Sequence, residues 1–501
     1  MRNCDLTGKR CISPYHPDKN YPVYYREVWW EKKRRGLEFG RDFDFTRPFF
    51  EQFGELQSLV PIESTRSVNC ENSEYCNGVQ DCKNSYMLLG SNKCQDSMYL
   101  DGCSYASSSA LAWKCKYLEL CYHIYQSSNL FHCFYCELCF GCSDVRFSRL
   151  CFDCHHCFGC VNLQHKKYCI FNKQHSREEY LSFINSFDQG SLAHTGKAWQ
   201  RTKQFMQMVP TRGTVEWDND CCEGDIIFNS QHCKHAFTIE NCDRSTYIYD
   251  VKNAEYSMDL DNTSHCSGLC YQAVQSSQLF HTCFAVNSHG CSDSFYVMDS
   301  YRLNHCFGCV GLYQEHYCLL NKRYKRQEYY KILERVVEHM KETGEWGQMF
   351  PPTLSRFGYN ESSAMSDYPV EEQQAVEGGY SWSHYSRPVK GEGDAILSEQ
   401  LPDRILDVPD SIVGKKIKCS ETGKLFKIQK SELLLYKLLN VPIPRVAFPR
   451  SLKNVRSARN KMVLRHRNCS NIADSCKAPV ETTYPEEIPQ LVFCDDCHRH
   501  L

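Results

Sequence analysis

Residues 68–103 read VNCENSEYCNGVQDCKNSYMLLGSNKCQDSMYLDGC, and every cysteine in the stretch, at 70, 76, 82, 94 and 103, falls in one frame of three. The frame continues through Cys115, Cys121, Cys133, Cys136, Cys139, Cys142, Cys151, Cys154, Cys157, Cys160 and Cys169. Where cysteine is absent the frame holds small or apolar residues, among them Ser73, Val79, Ser85, Leu88, Ser97 and Leu100, with Lys166 the exception. A period of three matches neither the 3.6 of a helix nor the two of a flat strand. Like residues also recur every twelve, as in Ser73, Ser85, Ser97 and Ser109, or Asn72, Asn84 and Asp96. Twelve residues per coil, four of them inward, would stack these into ladders around a narrow dry interior. Cysteine fits such an interior as a small hydrophobe. The expected class is mainly β: two tandem narrow β-solenoids with capping helices and small zinc-ribbon-like terminal domains.

The inward Cys/Ser/Cys/Ala spacing resembles the twelve-residue coils of beetle antifreeze proteins. The resemblance covers coil geometry alone, because the paired Thr-x-Thr ladders of their ice-binding face are missing. The array is duplicated. Residues 127–180 align without gaps to 276–329, with 23 identities in 54 positions, including CFGCV at 157–161 and 306–310. Internal repeats of this kind indicate stacked architectures. The second array starts in a shifted frame: Cys221, Gly224, Ile227, Ser230, Cys233 and onward. Duplication also tests the C-x-x-C runs at 133–142 and 151–160, whose spacing is reminiscent of iron–sulfur ligation. Their counterparts in the second copy include Thr282, Ala285, Ser288, Ser300 and Leu303. These substitutes favour core packing over a cluster, with disulfides across a coil, as at Cys115 and Cys121, the further alternative.

Length allows several domains. We expect a degenerate zinc-ribbon-like region at 1–66, solenoids at 67–174 and 219–323, helical caps at 175–218 and 324–345, an extended segment and linker at 346–400, and a basic zinc-ribbon domain at 401–501. The 34 cysteines would suggest secretion in a short chain. Here the polar start MRNCDLTGKRC and the lack of a long apolar run point instead to a reducing, cytoplasmic setting with no membrane contact, a virion component being the alternative.

The chain carries a net charge of −2. Between 414 and 469, fifteen Lys or Arg face only Glu421 and Glu432, so that segment is +13 and the remainder −15. It is a solvated surface or a patch that docks on the acidic rest of the chain, or else it binds nucleic-acid phosphates. The candidates for phosphate contact are Lys415, Lys416, Lys453, Arg456, Arg459, Lys461, Arg465 and Arg467. Few aromatics interleave with them, which favours backbone contact over base stacking.

Cys469-x6-Cys476 and Cys494-x2-Cys497 form two knuckles, and four thiolates give zinc a closed tetrahedral shell without an open position. We expect one zinc there, with His498 or His500 as substitutes, and none in the repeats. The N-terminus reads as a worn copy: Cys4-x6-Cys11 repeats the first knuckle, while Tyr25 and Val28 stand where the second pair should be. Cys419-Ser-Glu-Thr-Gly-Lys echoes Cys4-Asp-Leu-Thr-Gly-Lys.

GRDFDFTRPFFEQF at 40–53, CFGCVNLQHKKYCIFNKQHSREEY at 157–180, GEWGQMFPPTLSRFGYNE at 344–361 and TTYPEEIPQLVFCDDC at 482–497 resemble an uncharacterised family of long Cys-rich repeat proteins with zinc-ribbon ends, predicted from environmental bacterial and large-virus genomes. The resemblance implies ribbon ends and a repetitive middle, and no activity. No phosphate loop, His-Glu-x-x-His or paired carboxylate frame is present, so no catalytic residue is assigned. The expected function is a non-enzymatic scaffold that binds a protein partner through its basic ribbon domain. The alternative is a factor associated with a ribosome, polymerase or packaged genome.

Overall fold

Among the described residues of the repeats, about every third adopts the left-handed backbone conformation, and this decides their shape. Asn69, Asn72, Tyr75, Gly78, Asp81, Asn84, Met87, Gly90, Lys93, Asp96, Tyr99 and Gly102 all have positive φ, each two residues beyond one inward position and one before the next. Asn, Asp and Gly tolerate this region, whereas Tyr75, Met87 and Tyr99 pay roughly 1–2 kcal/mol each for it. Each triplet therefore ends in a corner, and four corners close a twelve-residue rung.

The structure is a computed structural model and describes residues 1–32, 35–103, 105–107, 141–261, 271–274, 281–385, 394–457, 459–471 and 475–500. The frame cysteines from Cys115 to Cys139, and all of residues 127–140 of the aligned first copy, lie outside these residues. Within them, neighbouring rungs pair in parallel at a separation of twelve, as in Lys83↔Gln95, Val145↔Cys157 and Ala236↔Ile248. Corner side chains form ladders outside: Asn72 Nδ2 donates to Asn84 Oδ1 (3.3 Å), and Asn84 Nδ2 to Asp96 Oδ1 (3.0 Å).

The expected mainly β class of two tandem solenoids is not what the structure shows. Helix accounts for 27% of residues and strand for 25%, so the chain is mixed α and β. The described strands fall into nine sheets, six of them two-stranded. The physical reason is the left-handed corner, which cuts extended runs short and leaves many rung contacts as single bridges. The helices Phe49–Leu59, Arg177–Ser186, Leu192–Met208 and Arg326–Glu342 carry the rest of the packing. No helix among the described residues is long and apolar enough to cross a membrane.

The inward positions are filled in both copies, by Cys76, Cys82, Cys94, Cys103 and Cys142–Cys169 in one cluster and by Ile227, Cys233, Ala236 and Ile239 onward in the other. The described cysteines are free thiols. Small size is only half the reason for cysteine and serine here. Ser97 Oγ donates to Gln95 O (2.7 Å), Cys76 Sγ to Glu74 O (3.3 Å), and Cys94 Sγ to Asn92 O (3.4 Å). The same oxygen or sulfur then accepts an N–H from the next rung, as in Cys103 N to Ser91 Oγ (3.2 Å) and Cys160 N to Ser148 Oγ (2.9 Å). Inward hydroxyls and thiols thus satisfy backbone groups that would otherwise be buried unpaired. Ser97 is fully buried, so Ser97→Phe should overpack the rung and cost about 1–3 kcal/mol or more. A thermal unfolding midpoint equal to that of the parent would contradict the inward placement.

The duplication reaches beyond the repeats. At the same offset of 149, the short strand Ile62–Glu63 corresponds to Thr211–Arg212, helix Phe49–Leu59 to the second part of Leu192–Met208, and the start of Arg177–Ser186 to the start of Arg326–Glu342. Each copy ends on an asparagine clamp. Asn172 Oδ1 and Nδ2 bond Val161 N and O (both 2.8 Å), and Asn321 does the same to Val310 (2.9 and 2.8 Å).

Candidate metal centre and basic surface

In the C-terminal ribbon, strands Arg465–Asn468 and Pro479–Thr482 pair antiparallel, so Cys469 follows the first strand directly and Cys476 lies three residues before the second. Strand Val492–Phe493 then leads into helix Asp495–Arg499, which brings Cys494 and Cys497 to the same point. The four sulfurs lie within 4.8 Å of one another, and Cys476 Sγ is 3.8 Å from Cys494 Sγ. Tetrahedral zinc with bonds of about 2.3 Å would hold its sulfurs roughly 3.8 Å apart. These cysteines could hold a metal ion. Burial raises the Cys469 thiol, but N–H groups of Cys494 and Asn471 and the neighbouring thiols outweigh it and lower its pKa. Neither histidine joins the thiols: His498 Nε2 lies 2.7 Å from Asn162 Nδ2, on the first repeat, and His500 is exposed.

The ribbon is fixed to the chain by its backbone. Val492–Phe493 pairs in parallel with Thr211–Arg212, and Thr483 Oγ1 donates to the buried Asp225 (2.5 Å). At the other end, Val23–Tyr24 pairs in the same way with Ile62–Glu63, which is the equivalent strand of the first copy. The N-terminal and C-terminal units thus attach to equivalent strands of the two copies. However, strand register places Thr7, and not Cys11, opposite Cys476. Cys4 N donates to Lys9 O (2.8 Å) as Cys469 N does to Ala478 O (2.9 Å), so Thr7 and Cys476 each stand two residues before the acceptor. Cys11 lies on the strand, paired with Arg2.

A third unit of the same build surrounds Cys419. Cys419 N donates to Lys424 O (3.0 Å) and Gly423 N to Cys419 O (3.0 Å), just as Gly8 N donates to Cys4 O (2.8 Å). Gly8 and Gly423 have φ of +68° and +67°, which the turn requires. Ala447 N donates to Cys419 Sγ (3.4 Å) and Tyr25 N to Cys4 Sγ (3.1 Å), as Cys494 N does to Cys469 Sγ (3.3 Å). In the units of Cys4 and Cys419 burial raises the thiol pKa, but the threonine hydroxyl and these N–H groups outweigh it and lower the value. Hydrogen bonds thus occupy the sulfurs of Cys4 and Cys419. The recurring Cys-x-x-Thr-Gly-Lys was the available sequence signal.

The eight basic candidates differ in their surroundings. Arg456 pairs with Asp101 of the first repeat, and Arg459 Nη2 with Asp367 Oδ1 (3.0 Å). Arg465 reaches Thr483 O (3.5 Å), and Arg467 reaches Pro485 O (3.3 Å) and Gln490 O (3.5 Å), all within the ribbon. These arginines hold the chain together. Lys415, Lys453 and Lys461 are exposed and Lys416 half-buried. Residues 401–501 also contact the first repeat. Helix Lys430–Leu439 packs with Met98 and Tyr99 of the first repeat, where Tyr99 Oη donates to the buried Glu432 (2.8 Å) and Phe448 stacks on Tyr99 (4.5 Å).

No family model matches the chain, and no curated protein matches it. Among solved structures, a Desulfovibrio desulfuricans G20 protein described as an acetyltransferase aligns over 60% of this chain and 79% of its own, with 10% identity and a TM-score of 0.10. Likeness at that level says nothing about fold or activity.

Proposed function

We propose that the protein is a non-catalytic scaffold whose terminal ribbon holds zinc for structure, and that it meets its partner through the ribbon around Cys419. The observation that carries this is the division of labour among the basic residues. Arg456, Arg459, Arg465 and Arg467 are spent on internal contacts, while Lys415, Lys418, Lys424, Lys427 and Lys430 are all exposed on and beside the hairpin Ile417–Lys418/Leu425–Phe426. Four thiolates and no open position suit zinc to a structural role.

A phosphate backbone is the second reading, favoured by the same exposed lysines. It makes a distinct prediction for the full chain. Retention of mixed-sequence RNA or DNA should be weakly specific and fall steeply with salt, since counterion release dominates such affinity. Changing Lys415, Lys418, Lys424 and Lys427 to Ser should abolish retention, whereas a fold-neutral change at exposed Lys234 should not. Absence of retention at low salt would discard the nucleic-acid reading and leave an acidic protein partner as the ligand of this hairpin.

A further inference from the structure

The first rung of the second repeat is one residue short, and this turns a cysteine outward. Asp220 pairs with Gln231, eleven residues on, whereas Gln231 pairs with Asp243, twelve on. The inward position is consequently Cys222, whose Sγ donates to Asp220 O (3.4 Å) and Ser230 O (3.3 Å) in the manner of other inward thiols. Cys221, expected inside from its frame, instead takes the left-handed corner with φ +51°, in line with corner residues His232 and Arg244 on the next two rungs. Stacking then sets Cys221 beside His232, with Asp220 next to both. Ligand atoms of Asp220, Cys221 and His232 lie within 4.8 Å of one another, and all three residues are exposed. Cys221 Sγ approaches Asp220 Oδ1 at 3.3 Å.

A second observation points the same way. Asp243 Oδ1 is buried and has no hydrogen-bond partner, and it lies 3.5 Å from His232 Nδ1. A carboxylate behind an imidazole, orienting the ring and raising its basicity, is the usual support of a metal-bound histidine. Asp243 Oδ2 is held separately by Arg244 Nη1 (2.8 Å), which fixes the carboxylate in place.

We propose that Asp220, Cys221 and His232 form a second metal site, with Asp243 as the positioning residue behind His232. The donor set of one thiolate, one imidazole and one carboxylate selects a borderline divalent transition ion such as zinc or cobalt, and discriminates against magnesium and calcium. Binding displaces the thiol proton to solvent. Three protein donors on an exposed corner leave a coordination position to water, so the ion is labile, unlike one enclosed by four thiolates. This departs from the sequence expectation of no metal in the repeats, which counted Cys221 among the inward residues, whereas its backbone places it at a corner.

The test is cobalt titration of the full chain after dialysis that removes labile metal but spares the terminal site. The parent should take up one further equivalent, marked by a thiolate-to-cobalt charge-transfer band. Cys221→Ser and His232→Ala should each lose that equivalent, and Asp243→Asn should weaken it about 10-fold, the scale of a lost supporting carboxylate. Cys494→Ser should retain it, so a failure of the terminal site and a failure of this one are told apart. The proposal is overturned if the dialysed parent takes up no cobalt, if Cys221→Ser and His232→Ala bind as the parent does, or if Cys222→Ser alone removes the band.

Discussion

Cys494→Ser should release one metal equivalent per chain and unfold the C-terminal ribbon. Structural zinc contributes on the order of 10 kcal/mol to small ribbon-like units, and residues 465–500 have little else: their core cluster is Cys469, Val480, Tyr484, Val492 and Phe493, with the remaining three cysteines at its margin. The loss would travel inward through two contacts. Thr211–Arg212 would lose its paired strand, and the Asp225 carboxylate, raised in pKa by burial and held by Thr483, would lose that hydroxyl. Elemental analysis should show the missing equivalent, and amide exchange should rise across 465–500 and at 211–213. Cys4→Ser is the contrasting variant. Its sulfur is already satisfied by N–H groups and Thr7, so metal content should not change, and the cost should stay within about 1–3 kcal/mol, the range for disturbing a buried hydrogen-bonded group. A Cys494→Ser protein with parental metal content would refute the tetrathiolate site.

That contrast shows what a linear reading can and cannot reach. The frame of three was legible because an inward residue must be small, and the step of twelve because ladders stack like on like, as Asn84 on Asn72. The four terminal cysteines were legible because ligand identity is written directly in residue type. Spacing alone misassigned the worn knuckle: Cys11 matches Cys476 in sequence distance, but hydrogen-bond register selects Thr7, since the loop between strands is longer in one unit than the other. Cys221 shows the same limit, because one missing residue in a rung is decided by which backbone groups pair. The helical share was underestimated because rungs are counted by their period, whereas their left-handed corners remove residues from strand. Arg456 and Arg459 looked like a free basic run because Asp101 and Asp367 are 355 and 92 residues away in sequence.

Phe49→Ala tests how the two copies are joined, with an expected loss of about 3–5 kcal/mol, the range for emptying a buried aromatic site. Phe49 is fully buried, and its ring lies 5.2 Å from Tyr296, 5.4 Å from Phe307 and 5.9 Å from Phe53. Its helix precedes the first repeat in sequence yet packs on the second, and Glu345 secures the helix start by accepting from Phe49 N (2.8 Å) and Phe50 N (2.7 Å). Helix Leu192–Met208 precedes the second repeat but packs on the first, where Trp199 meets Phe147, and the C-terminal ribbon reaches the same repeat through Asn162 and Arg149. The first repeat is thus covered by the two helices that follow it, Arg177–Ser186 and Leu192–Met208, and the second by Arg326–Glu342, which follows it, together with Phe49–Leu59 from before the first repeat. Because the cavity left by Phe49→Ala opens at that junction, its cost should appear as faster amide exchange in the 281–323 rungs as well as in residues 40–60. Leu59→Ala, at the half-exposed end of the same helix, should stay within about 0.5 kcal/mol. Equal unfolding midpoints for the two variants would mean that the copies stand independently, and the crossed packing would then be a contact without energetic weight.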